Sequence, residues 1–289
     1  VTGDPFVAHR GLLFTVAYEM LGSAADADDV VQETWLRWAD ADRAAVRDPR
    51  AYLVRIVTRQ ALNRLRTLAR RREDYVGEWL PEPLLTSPDV ADDVELAESV
   101  SMAMLTVLET LGPTERAVLV LHEVFAVPYD EIAEAVGRTA AAVRQIAHRA
   151  REHVAARRPR AVVSRAEQQR VVDRFLAALA GGDVQELMDV LAPDVVVVAD
   201  SGGLAPAALR PLTGHLRVAR ALARFADLAP GVGITTPLVN GTVGVRIDAG
   251  GAFDTAITFA VEDGRISRMY AMRNPHKLRR LDEVADLRR

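Results

Sequence analysis

Five side chains on one short stretch could do chemistry with a nucleic acid. Pro128 to Arg151 reads as two helices joined by a tight turn. The outward face of the second carries Arg144, Gln145, His148, Arg149 and Arg151. Arg and Gln offer paired N–H donors that fit guanine and adenine edges in the DNA major groove, which a helix-turn-helix enters with its second helix. Gly137 stands where the first helix must stop, because glycine tolerates the left-handed conformation that ends a helix. Thr139 is placed to cap the second, its hydroxyl accepting a backbone N–H. Ile132, Ala133 and Val136 mark the inner face of the first helix, and Val143, Ile146 and Ala147 that of the second. The same residues also fit an ordinary helical hairpin with a solvated basic face.

A second set of donors lies upstream, on a helix expected from Arg50 to about Arg71. Tyr52, Leu53, Ile56, Val57, Leu62 and Leu65 give it an apolar side, and Arg55, Arg59, Asn63, Arg64 and Arg66 crowd the others. A third set is weaker. Asp200, His215 and Asp254 are polar residues of the C-terminal part, where an Asp/His pair could move a proton beside a carbonyl. No spacing brings them together, and His215 reads equally well as a residue at a helix start.

The charge pattern explains how a chain of formal charge −4 can face DNA. Ten arginines fall between Arg43 and Glu73 and seven between Arg138 and Arg160, while Glu19–Asp42 and Asp74–Glu109 are acidic. The mean therefore hides two basic surfaces. With no cysteine in 289 residues, disulfides, thiol sensing and Cys-ligated zinc are excluded. No cofactor or metal site is expected. No apolar run approaches the ~20 residues of a membrane span and no secretory segment opens the chain. A cytoplasmic protein without a membrane partner is expected.

The elements that must position these groups fall into units of the usual domain size. Residues 1–73 read as helical: Phe6 to Met20, then Ala25 to Trp38 burying Val30, Val31, Trp35 and Trp38, then the arginine-rich helix. Residues 74–95 form an acidic, Pro-containing linker with Trp79-Leu80-Pro81-Glu82-Pro83, where alternate prolines favour extended chain. Residues 96–160 contain a helix from Glu115 to Phe125 capped by Thr114, the two-helix motif, and a basic tail Arg157-Arg158-Pro159-Arg160. From 161 to 289 the period changes. Helices at Glu167–Leu179, Val184–Leu191 and Gly214–Leu228 surround a β run at Val195–Ala199. Strands are expected at Val232–Val239, Thr242–Asp248, Ala252–Val261 and Arg265–Met272. Asn240-Gly241 and Glu262-Asp263-Gly264 turn the hairpins. Helices followed by an antiparallel meander argue an α+β domain.

At this point the chain resembles a known family. Asp26-Ala27-Asp28-Asp29-Val30-Val31-Gln32-Glu33-Thr34-Trp35-Leu36-Arg37 looks like the core-polymerase-binding helix of bacterial extracytoplasmic-function sigma factors. Asp48-Pro49-Arg50-Ala51-Tyr52-Leu53 with Asn63 and Arg64 looks like their −10 segment. Leu111-Gly112-Pro113-Thr114-Glu115-Arg116-Ala117-Val118 and the helix-turn-helix look like their −35 reader. Residues 165 to 289 resemble the SnoaL-like branch of the nuclear-transport-factor-like fold, which some of these factors carry as an extension. The implied fold is two all-α sigma domains, the second a helix-turn-helix, followed by an α+β cone.

The resemblance implies promoter recognition rather than catalysis, with core RNA polymerase and promoter DNA as partners. Asp26, Asp28, Asp29, Gln32, Glu33, Leu36 and Arg37 would meet the polymerase. Arg59, Asn63, Arg64 and Arg66 would hold the opened −10 strand, whose base edges are free once unstacked. Arg144, Gln145, His148, Arg149 and Arg151 would divide base and phosphate contacts at −35. The group also shows a linker motif like Trp79 to Pro83, a loop like Asp200-Ser201-Gly202-Gly203 and a motif like Asn274-Pro275-His276-Lys277-Leu278, with Ser201 and His276 departing from the pattern. A regulatory contact among these three segments is expected, without a separate anti-sigma partner, and a small-molecule ligand in the C-terminal domain is possible. Two alternatives stay open: a ligand-responsive helix-turn-helix regulator dimerising on a palindrome, and a sigma factor with a cyclase- or isomerase-like fused enzyme.

Overall fold

A computed structural model of the chain describes residues 3–72, 75–157, 163–228, 232–248 and 254–289. Three helices come first: α1 (Pro5–Leu21), α2 (Ala24–Ala39) and α3 (Pro49–Arg72). A short strand β1 (Leu85–Thr86) precedes α4 (Pro88–Asp92), α5 (Val94–Ser99), α6 (Met102–Leu108) and α7 (Pro113–Leu119). A π-helical turn (Val120–Val124) then leads into α8 (Tyr129–Val136) and α9 (Ala140–Ala155). The remainder runs α10 (Arg165–Gly181), α11 (Val184–Val190), β2 (Leu191–Asp200), β3 (Leu212–Thr213), α12 (His215–Leu228), β4 (Gly233–Thr235), β5 (Leu238–Val239) and β6 (Thr242–Val243). It ends with β7 (Val245–Asp248), β8 (Thr255–Glu262), β9 (Arg265–Met272), α13 (Pro275–Leu278) and β10 (Val284–Ala285). Arg158, Pro159 and Arg160 of the basic tail, and the start of the strand expected from Ala252, lie outside the described residues.

These elements form two compact units. One gathers Val1–Asp74, Met104–Arg158 and Asp286–Arg289; the other gathers Tyr75–Ala103 and Pro159–Ala285. The segment read from sequence as a linker is therefore built into the second unit, with the helices that follow it as far as Ala103.

In the first unit α1 is the central helix, with Leu13, Val16, Ala17, Tyr18 and Met20 all buried. The Asp4 carboxylate caps it, accepting from Phe6 N at 2.9 Å and from the Trp38 indole at 2.9 Å. Those bonds, the backbone one foremost, hold the Asp4 carboxyl below the usual carboxylate range. Ser23 caps α2. A buried guanidinium, Arg116, holds the helices at one point: it donates to Leu108 O at 2.8 Å, Met20 O at 2.7 Å and Glu109 Oε1 at 2.7 Å. Burying a charge is tolerable only with such full pairing.

Three expectations need correction in this unit. Trp38 is core at 1% exposure, but Trp35 is 44% exposed beside Leu36 at 51%, because residue 35 falls on the face of α2 turned away from α1 and α3. Thr114 does not cap; Gly112 is the N-cap of α7, with its N–H donated to Glu115 Oε2 at 3.2 Å. The helix expected to run to Phe125 changes at Val120 into the π-helical turn, and Ala126 follows with a φ of 52°.

In the second unit the main sheet has the order β3-β2-β9-β8-β7-β4. Strand alternation divides its two faces. Ile257, Phe259, Val261 and Met269 pack with Phe175 of α10, Leu187 of α11 and Val218 of α12. Ala256, Tyr270 and Met272 on the other face pack with Leu80, Met102 and Leu281. The meander is antiparallel through β4, β7, β8 and β9 as expected, and β2, for which no pairing was expected from sequence, joins β9 in parallel. Two expected strands are each broken, between β4 and β5 at Pro237 and between β6 and β7 at Gly244. Pro237 has no N–H to give a ladder. Both hairpins turn where anticipated: Asn240 and Gly241 have φ of 54° and 71°, and Asp263 and Gly264 have 51° and 69°, the left-handed pair that a two-residue turn needs. A second sheet, β10-β1-β5-β6, has the linker strand inside it.

Candidate nucleic-acid interface and linker clasp

The two-helix motif closes as its residues dictate. Gly137 ends α8 at φ 67°, and Thr139 caps α9 by accepting from Ala142 N at 3.2 Å. Ile132, Ala133 and Ala135 of α8 and Val143, Ala147, Ala150 and Val154 of α9 are buried. Arg144, Gln145, His148 and Arg149 are exposed together on the far side of α9. Arg144 lies 5.9 Å above the Tyr129 ring and 4.0 Å from Asp130 Oδ1, loose contacts that leave its donors accessible. Arg151 differs. It donates to Glu123 Oε1 at 2.8 Å and to Tyr129 Oη at 2.7 Å, and these two hydrogen bonds, Glu123 first, raise its pKa. Tyr129 in turn stacks on His122 at 4.0 Å between ring centres. In this conformation Arg151 ties α9 to the π-helical turn and to the start of α8.

The donors of α3 separate in the same way. Asn63 and Arg66 are exposed and bonded to each other at 3.0 Å. Arg64 turns to α2 and donates to Asp26 at 2.7 Å and Asp29 at 2.6 Å. Burial works against its charge, but these carboxylates prevail and raise its pKa. Arg59 caps the end of α8, donating to Glu134 O at 2.7 Å and Ala135 O at 3.4 Å, while Arg55 pairs with the Glu134 carboxylate at 3.0 Å. Beside them lies a cleft of about 540 Å³ lined from Ala41 to Arg55 on one side and by Glu131, Ile132, Glu134 and Ala135 on the other. Of the α2 residues, Asp28 pairs with Arg10 at 3.3 Å. Gln32, Glu33, Trp35, Leu36 and Arg37 remain exposed as one mixed apolar and polar face.

In the second unit the three expected segments meet. The Asp200 carboxylate, with 0% exposure, accepts from Tyr75 Oη at 2.5 Å, Leu80 N at 2.8 Å, Gly202 N at 3.1 Å and Lys277 Nζ at 2.8 Å. Lys277 also donates to Leu80 O at 2.6 Å and sits 4.0 Å above the Trp79 ring, a cation–π contact in a mostly buried setting. Asn274 caps α13 through His276 N and donates to Tyr75 Oη at 2.8 Å. Gly202 is required here. Its φ is 57°, and a Cβ on it would lie 2.6 Å from Asn274 Nδ2. A Cβ on Gly203, at φ 75°, would press on Val76 at 3.2 Å. Pro81, Glu82 and Pro83 are buried, and Leu278 packs against the cluster that contains Leu80. Pro275 helps to line a neighbouring cleft of about 420 Å³ together with Asp254, Arg246, Arg273 and Arg279.

Two residues of this clasp were not singled out in the sequence. Tyr75 was hidden as one more aromatic of an acidic segment. Asn240 was read only as a turn residue, yet its side chain accepts from Leu84 N at 3.0 Å and donates to Val100 O at 2.9 Å. Gly241 N donates to Thr86 Oγ1 at 3.0 Å, and a Cβ on Gly241 would fall 2.7 Å from Ala97 Cα. Asp200 and His215 are not brought together: the carboxylate bonds of Asp200 go to the four donors above, and His215 Nδ1 is buried with no partner among the described residues.

Comparison with known proteins agrees with this arrangement. Residues 6–71 match the family of sigma-70 region 2, and residues 101–154 match sigma-70 region 4. The chain is 40% identical over 287 residues to the ECF RNA polymerase sigma factor SigJ of Mycobacterium tuberculosis (strain ATCC 25618 / H37Rv), covering 94% of this chain and 91% of that one. It is 32% identical over 275 residues to the probable ECF RNA polymerase sigma factor SigI of the same strain, covering 94% and 92%. The crystal structure of Mycobacterium tuberculosis SigJ is similar with a TM-score of 0.77 at 35% identity, covering 96% of this chain and 98% of that one. Similarity of that extent runs through both sigma regions and the fused α+β domain, and the chain belongs to the extracytoplasmic-function sigma factors of RNA polymerase.

Proposed function

We propose that this sigma factor directs core RNA polymerase to promoters through two DNA readers, and that its fused domain governs them by holding the linker. The observation that carries the second part is the burial of Asp200 against Tyr75, Leu80 and Lys277. Gln32, Glu33, Trp35, Leu36 and Arg37 form the polymerase-docking face, since aromatic, aliphatic and Arg side chains exposed together are typical of interface centres. Asp26, Asp28 and Asp29 support that face through Arg64 and Arg10. Asn63 and Arg66, with Arg59 once it leaves α8, hold the opened −10 strand. Arg144, Gln145, His148 and Arg149 read −35. Arg151, bonded to Glu123 and Tyr129, keeps α9 in place.

The fused domain works as a regulator and not as an enzyme, because the one fully buried carboxylate of its loop is committed to the linker. With polymerase and promoter as partners, the chain acts in the cytoplasm; no helix among the described residues is long and apolar enough to cross a membrane. Control by the fused domain takes the place of a separate anti-sigma factor. A second reading, a ligand-sensing fused domain, is favoured by the polar cleft lined by Arg246, Arg273 and Arg279 with Asp254 and Asp282.

Pull-down with core polymerase followed by promoter-specific run-off transcription tests the first part. Asp200→Asn in the full chain tests the second: altered promoter output with unchanged core binding is expected. Unchanged output would remove the fused domain from the mechanism.

A further inference from the structure

The segment Asp286–Arg289 belongs by its contacts to the first unit and not to the domain it follows. Its seat is a notch on α1. Thr15 is fully buried, and its hydroxyl donates to Gly11 O at 2.8 Å and accepts from Arg288 N at 2.9 Å. Gly11 leaves the space that the segment fills: a Cβ there would lie 2.9 Å from Asp286 Oδ2 and 3.1 Å from Arg288 Cγ. Leu287 is buried, and Arg288 is folded back by its bond to Asp286 Oδ1 at 2.8 Å. A glycine in a helix interior costs helix stability, so the notch has a reason beyond α1 itself.

The residues just before this segment are β10, which pairs in parallel with the linker strand, Leu85 with Val284 and Thr86 with Ala285. The docked segment follows β10 directly in the chain. We infer that the Gly11–Thr15 notch of α1 is a docking site for Asp286–Arg289, and that this segment is a tether reporting the state of the linker clasp to the region 2 helices. The inference rests on the reading of the fused domain as a regulator. Freeing the linker removes the only strand β10 pairs with among the described residues. The docked segment then loses the ordered chain that presents it, and α1 loses its occupant. Intramolecular presentation of this kind raises the effective concentration of a short segment that would bind poorly as a free peptide.

Amide hydrogen exchange at Arg288 and run-off transcription with core polymerase, both on the full chain, test the tether. Thr15→Val removes the acceptor while keeping the side-chain shape. Arg288→Pro removes the N–H from the other side without touching α1, so a folding defect of one variant does not remove the test. Slowed exchange of the Arg288 amide in the unmodified chain is expected, lost by on the order of tenfold or more in Thr15→Val. Both variants should shift promoter output in the same direction as Asp200→Asn. Equal exchange in the unmodified chain and Thr15→Val overturns the docking site. Unchanged output in both tether variants, with Asp200→Asn altering it, overturns the tether and leaves the regulatory reading standing. Unchanged output in all three overturns both.

Discussion

Arginines that look alike in the sequence have different work in the structure. Arg144 is exposed with only loose contacts, whereas Arg151, two helical turns on, is bonded to Glu123 and Tyr129. Arg144→Ala should therefore cost about 1–3 kcal/mol at one base pair of the −35 element and little elsewhere. Arg151→Ala should weaken binding on every promoter alike; duplex binding across a panel of single-base variants checks both. Spacing could place these residues on one helix but could not tell a reader from a brace, since the bracing partners come from the preceding segment. Tyr75 permits a pH test. Burial first, and then its bond to Asp200, push its phenol well above the ordinary tyrosine range. A raised pKa contributes stability that is whole below the unfolded value of about 10 and disappears as pH climbs through the folded one. The stability difference between the unmodified chain and Tyr75→Phe should thus be constant below about pH 10 and close above it, as followed by denaturant unfolding.

The helices and hairpins were legible because their signals are local: Gly137, Thr139, Asn240-Gly241 and Asp263-Gly264 each act within a few residues. What was not legible depends on distant partners. Trp35 has the helical spacing of a core residue, and only the placement of α1 and α3 shows that its face is left uncovered. The parallel pairing of β2 with β9 links strands far apart in the chain, and no turn residue announces it. Asn240 is the clearest case, a correctly read turn whose side chain bonds Leu84 and Val100. Asn240→Ala should leave both backbone groups unpaired in a buried site, at roughly 1–3 kcal/mol each, and make the linker susceptible to proteolysis. The contact of α3 with α8 gives a second prediction at this scale. Arg59 cannot cap α8 and hold a DNA strand at once. Because the chain has no cysteine, Arg55→Cys with Glu134→Cys allows α3 and α8 to be bridged by a short bis-maleimide. The bridged chain should lose promoter-dependent transcription while the unbridged double variant keeps it.

At the scale of the whole molecule, the family could be recognised from sequence, and so could the three segments that meet around Asp200. The division of the chain could not. The linker's prolines and acids describe an extended chain, and only the family resemblance implied that Trp79 to Pro83 meets the fused domain; neither shows that the segment is built into a sheet. In the structure its Leu80, Pro81, Glu82 and Pro83 are buried, and its strand sits within a sheet of the second unit. The central claim is that the fused domain sets promoter output by holding this linker. Its most direct measurement is run-off transcription by core polymerase with the full chain and with Tyr75→Phe/Asn240→Ala, on templates that vary only the spacing between −35 and −10 elements. A changed spacing preference with unchanged core binding is the predicted result. The same preference in both chains, with the linker shown by proteolysis to be released in the variant, would contradict it.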